Sequence, residues 1–158
     1  MGTDIHGVWV GKCAGTDKWF SFEYGCGDRS YRWFGIVAGV RDEEHFYAKG
    51  NPDIICDAWA HYDDDDLHSN TWLKPSEVME ANAEWLKRAK EEYPDAAWEA
   101  NGEQPYQRVP EEDDRLTELI LELGGGGRKI PWAGTLRQFI GEDADFNESV
   151  MYICAFDS

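Results

Sequence analysis

Two short segments of the chain share an Asp-x-His spacing. Asp4 and His6 fall in an alternating stretch, residues 3–11, in which Asp4, His6, Val8 and Val10 point one way and Ile5, Gly7 and Trp9 the other. A carboxylate and an imidazole on one face can ligate a divalent metal or work as acid and base. Val8 and Val10 need burial, so Asp4 and His6 are expected at the end of a core-facing side, partly enclosed. The plainer role that the same spacing allows is an Asp hydrogen-bonded near a strand end beside a satisfied His. Asp66 and His68 repeat the spacing just before a helix, with His61 upstream. Ser69, Asn70 and Thr71 follow them as candidate helix caps. Were the two elements to meet, Asp4, His6 and His68 would form a metal ligand set or an acid–base group.

Cations complete the picture. Arg29, Arg32 and Arg41 are the only arginines before position 88 and flank one helix. In a chain of net charge −17 such a cluster can bind phosphate or carboxylate against the general field. Arg32, which precedes Trp33, suits internal pairing with the surplus of Asp and Glu. Tyr31 and Trp72 offer rings on which a base can stack.

The elements that must position these groups are legible in outline. Residues 3–11 and 19–24 alternate on either side of a Gly15–Thr16–Asp17 turn signal, which predicts an N-terminal hairpin with Phe20, Phe22 and Tyr24 on one face. Ser30 caps a helix through about Val40, and residues 42–66 read as mostly loop. Pro75 and Ser76 open the next helix, Glu77 and Glu80 suit its first turns, and Lys87, Arg88 and Lys90 its last. Val78, Asn82, Trp85, Leu86 and Ala89 mark its inner stripe. Residues 95–110 are linker-like, 111–123 form a short amphipathic helix stopped by the glycines 124–127, and 132–140 form another helix. The closing run SVMYICAF, residues 149–156, is apolar on both faces, as a central strand covered on both sides is. The expected fold is α+β: a small, mostly antiparallel sheet, built from the hairpin and the C-terminal strand, with three to four helices packed on it. One domain is expected to span 1–158, with a mobile or inserted stretch around 95–130.

Composition narrows the function. The 32 Asp and Glu against 15 Lys and Arg argue against direct nucleic-acid binding, which requires a basic surface. Apolar content of 42% and eight tryptophans argue against a disordered acidic chain. The N-terminus carries no signal-peptide pattern, no run is long enough to cross a bilayer, and a membrane partner is not expected. The four cysteines show neither C-x-x-C nor scaffold spacing, which suits reduced thiols, with Cys154 in the core. Phosphate-loop, dinucleotide, EF-hand and G-x-S-x-G patterns are absent; a calcium loop opening at Asp63 would need Gly and Glu where His68 and Lys74 stand.

The segments MGTDIHG, DRSYRWFGIVAGVR, LHSNTWL and the final AFDS resemble, in that order, a family of tailed-phage proteins. Its members open Met-Gly-x-Asp-Ile-His, continue Arg-x-Tyr-x-x-Phe…Val-Arg and His-Ser-x-x-Trp-Leu, and end in a strand closing Phe-Asp. The match covers roughly the first half of the chain and its closing strand. The resemblance implies a phage origin and action inside the bacterial cytoplasm, with Asp4, His6, Arg29, Tyr31, Arg41, His68, Trp72 and Asp157 as the retained polar and aromatic positions. It implies no particular activity. The family's second motif often reads His-x-His, and here its first position is Asp66.

Two functions are expected from these residues. One is a small metal-assisted phosphoesterase, or a pocket, for a nucleotide-like ligand. In it Asp4, His6 and His68 serve as catalytic or metal-ligating groups, Arg29 and Arg41 hold phosphate, and Tyr31 or Trp72 stacks on a base. The other is a non-enzymatic acidic counter-defence protein that sequesters a nucleotide signal or blocks a host enzyme, its runs at 63–66 and 111–114 standing in for phosphates.

Overall fold

In the computed structural model the structure describes residues 2–25, 31–40, 45–56, 66–92, 94 and 133–157. Five strands form one sheet: β1 (Ile5–Lys12), β2 (Lys18–Gly25), β3 (Ile55–Cys56), β4 (His68–Leu73) and β5 (Val150–Phe156), in the order β3-β2-β1-β5-β4. All pairings are antiparallel except the short β2–β3 contact. Among the described residues four helices accompany it: α1 (Tyr31–Ala38), α2 (Pro75–Glu92), α3 (Ala133–Ile140) and α4 (Phe146–Ser149). The α+β fold with an N-terminal hairpin and an interior C-terminal strand is as the sequence predicts. The expected helix at 111–123 and the glycines 124–127 lie outside the described residues.

Local chemistry explains the elements. The β1–β2 turn closes with Cys13 N–H donating to the Lys18 carbonyl at 2.9 Å, and it needs the left-handed backbone that Gly15 supplies at φ 74°. In β2 the register shifts between Trp9 and Val10, which pair with Glu23 and Ser21, so the strict alternation expected through Phe20, Phe22 and Tyr24 is interrupted. The helix α1 ends where Gly39, at φ 69°, donates to the Gly35 carbonyl. Glu77 reaches back from the third position of α2 to accept the Lys74 N–H at 2.9 Å, half of a capping box, and Pro75 fits the first turn. Asn147 of α4 accepts the Ser76 N–H at 3.0 Å, satisfying another of the donors that a helix start leaves open.

The sheet is buried on both faces. Ile5, Trp9, Val150, Tyr152, Cys154 and Phe156 meet α1, α2 and α3 through Trp33, Phe34, Val78, Ala81, Trp85, Leu136 and Ile140. Here Asn82, expected on the inner stripe, accepts the Trp33 indole N–H at 2.8 Å. On the other face Val8, Val10, Trp19, Met151, Ile153 and Ala155 are closed over by Ile54, Cys56, Leu67 and Trp72. Every residue of β5 is buried, which is why its sequence is apolar throughout. Cys13, Cys56 and Cys154 are not joined in a disulfide, and burial pushes the Cys154 thiol far up from its ordinary pKa. No helix among the described residues is long and apolar enough to cross a membrane.

Candidate functional site at one end of the sheet

The start of β1, the end of β5, the start of β4 and the start of α1 lie together, and five of the sequence-selected residues come with them. Antiparallel pairing sets His6 opposite Ala155, and beyond the strand Asp157 N–H donates to the Asp4 carbonyl at 3.1 Å. The Asp157 carboxylate then spans two donors. Its Oδ1 accepts the Asp4 N–H and its Oδ2 the His6 Nε2, each at 2.9 Å. Tyr31 joins from α1, its hydroxyl accepting the Thr3 N–H at 3.3 Å while its ring meets Phe34 edge-on. His68 pairs with Phe156 across β4–β5.

An ionised carboxylate only accepts, so the hydrogen in the His6–Asp157 bond sits on Nε2. In the neutral ring the lone pair is then on Nδ1. That arrangement, a solvent-reaching imidazole oriented from behind by a carboxylate, has the geometry of the base-and-orienter half of a catalytic triad with the nitrogens exchanged. His6 is 47% exposed and Asp157 39%. Both groups are therefore reachable by a small ligand, and their pairing adds little to stability.

Two expectations are corrected by this geometry. Asp4 and His6 are exposed rather than partly enclosed, because β1 begins only at Ile5 and burial of that face starts further along, at Val8. His6 and His68 do not converge. Ala155 and Phe156 are neighbours on β5 and leave opposite faces, and each histidine shares the face of its own partner. Asp4, His6 and His68 therefore do not surround one point, and among the described residues no trio of His, Cys, Asp or Glu is placed to hold a metal ion.

The remaining candidates separate. Trp72 lies down β4 opposite Ile153, with the Lys49 ammonium 3.7 Å from its ring centre, so one ring face is already taken. Arg32 pairs with Glu92 and lies 5.9 Å from the Trp85 ring, the internal role its position suggested. Arg29, Arg41, His61, Cys26 and the acidic stretches 63–65 and 111–114 lie outside the described residues; Asp66 is exposed. A depression of about 350 Å³ bounded by Lys12, Cys13, Thr16, Asp17, Ile140 and Ser149 lies at the opposite end of β1 from His6. Spacing alone did not find Asp157; its only signal was its place in the closing Phe-Asp motif.

No protein-family model, curated protein or solved structure matches the chain in comparisons with known proteins.

Proposed function

We propose that the chain is a small hydrolase of the phosphoesterase type, acting on a nucleotide-like ligand, with the sheet end at His6 as its site. The observation that carries this is the double anchoring of Asp157, which fixes the His6 ring and leaves Nδ1 as the base. In the reaction His6 takes the proton of the attacking water as the new bond to phosphorus forms and returns it to the departing oxygen. Asp157 stabilises the imidazolium between those steps. Arg29 and Arg41 are the cations assigned to the phosphate and Tyr31 the ring assigned to the base. Action inside a bacterial host is part of this proposal and follows from the phage-family resemblance.

A second role, acidic capture of a host protein or sequestration of a nucleotide, is favoured by one observation. Lys12, Arg32, Lys49, Lys74 and Arg88 are each paired with a carboxylate of this same chain, so these five cations are engaged internally in a chain whose Asp and Glu outnumber its Lys and Arg by 17.

Turnover of a panel of nucleotides, with and without EDTA, separates these roles. The phosphoesterase predicts product that forms in EDTA and falls by about 100-fold or more in His6→Ala and Asp157→Asn. Loss of turnover in EDTA would restore the metal and overturn the mechanism above. Stoichiometric binding with the nucleotide recovered intact, or salt-sensitive retention of a basic host protein with no turnover, would replace the hydrolase with capture.

A further inference from the structure

We propose that Ser69 is an activated nucleophile with His68 as its base, on the opposite face of the sheet from the His6–Asp157 pair. Ser69 Oγ lies 3.0 Å from His68 Nδ1, and both residues are partly buried rather than closed off. Among the described residues Ser69 is the one non-glycine residue at positive φ, 53°. A side chain there costs about 1–2 kcal/mol relative to ordinary backbone. Such strain persists only where the surroundings impose it, and it concentrates at active sites.

The surroundings here do impose it. The β4–β5 register shifts between His68, which pairs with Phe156, and Thr71, which pairs with Cys154, so Ser69 sits in a bulge. On its far side the strand is held at two points. Thr71 Oγ1 donates to the Tyr47 carbonyl at 3.3 Å and accepts the Lys49 N–H at 3.2 Å, and the Asn70 carbonyl accepts the Gly50 N–H at 2.7 Å. On its near side the His68 ring lies tilted against Phe156, 6.4 Å between centres. A bulge re-aims one side chain out of the strand's alternation. Here the re-aimed group is a hydroxyl directed at an imidazole nitrogen, at a position where Gly or Asn is the ordinary occupant.

With a phosphoester, Ser69 Oγ forms the new bond to phosphorus as the bond from phosphorus to the leaving oxygen breaks. The hydroxyl proton passes to His68 Nδ1 and on to the departing alkoxide. Water then displaces the serine oxygen from phosphorus, its proton passing to His68 Nδ1 and from there to the departing Ser69 Oγ, which restores the hydroxyl. The substrate class rests on the hydrolase proposed above; the reactivity of Ser69 does not.

Diisopropyl fluorophosphate tests the serine without a natural substrate, because Oγ–P bond formation expels fluoride and leaves a stable adduct. The expected result is one adduct mapped to Ser69, formed at least about 10-fold more slowly in His68→Gln and absent in Ser69→Gly, which relieves the backbone rather than straining it. Unchanged labelling in His68→Gln, labelling of Ser21 or Ser76 at a comparable rate, or no adduct would each overturn the inference. A Ser69 adduct in a protein that turns over no nucleotide would leave the nucleophile standing and remove the nucleotide hydrolase.

Discussion

Asp157 Oδ2 accepts from His6 Nε2 at 2.9 Å, so the ring on the first strand is held by the residue immediately after the last one. Removing either partner is expected to leave folding nearly unchanged. The pair is more than a third exposed, and exposed ion pairs contribute about 0–1 kcal/mol. Asp157→Asn keeps an acceptor for the Asp4 N–H but loses the charge that steadies an imidazolium. Urea denaturation of Asp157→Asn and His6→Ala is therefore expected to fall within about 1 kcal/mol of the parent. A loss of several kcal/mol would make the pair a structural clasp instead.

Ser69→Gly is expected to raise stability by about 1 kcal/mol, since glycine adopts φ 53° without the side-chain penalty. Ser69→Ala retains the strain and loses the hydrogen bond to His68, so it should be no more stable than the parent. Thermal melts of the three proteins side by side decide this. A Gly variant less stable than the parent would mean that the hydroxyl bond outweighs the backbone strain.

These two sites also mark what sequence could and could not show. The helix α2 was legible because its Pro75, Glu77, Lys90 and apolar stripe are all local signals, and β5 because burial on both faces forces an unbroken apolar run. The hairpin was legible from alternation broken by Gly15. By contrast β4, HSNTWL, reads as a polar cap before a helix and becomes a strand only by pairing with β5, far along the chain. The cap itself is made by Lys74 and Glu77 instead. Asp157 meets His6 only through the antiparallel β1–β5 pairing, and the opposite faces of His6 and His68 follow from two registers that no spacing rule contains.

Arg32 and Glu92 give a prediction with unequal arms. Arg32 is 11% exposed with its Nη1 buried and unpartnered, whereas Glu92 is 51% exposed. Removing the carboxylate leaves a buried guanidinium uncompensated, so Glu92→Ala is expected to cost about 1–3 kcal/mol. Replacing the cation removes the orphaned donor too, while an apolar chain of similar length still covers Trp85, 5.9 Å from the guanidinium. Arg32→Met is expected to be neutral or stabilising by about 1 kcal/mol. Chemical denaturation of both variants checks the order; Arg32→Met costing more than Glu92→Ala would reverse it.

Glu84 carries the pH dependence that the structure makes explicit. Arg88 Nε donates to Glu84 Oε1 at 2.8 Å one turn along α2, and that hydrogen bond, opposed by partial burial and aided by the charges of Arg88, Lys87 and His45, lowers the Glu84 pKa below its ordinary 4.5. A carboxylate with a depressed folded-state pKa contributes stability that is fully present above the unfolded value and is lost as pH falls through the folded one. Glu84→Gln should therefore be less stable than the parent near pH 7, by about 0.3–0.5 kcal/mol, the usual size for a pair at this spacing. The gap should close as the pH is taken below 4.5, where the parent loses the contribution and the variant has none to lose. It should also narrow in high salt, which screens the pair. Urea titrations of both proteins at several pH values follow the gap directly, and a difference that persists unchanged into acid would assign it to packing of the side chain rather than to its charge.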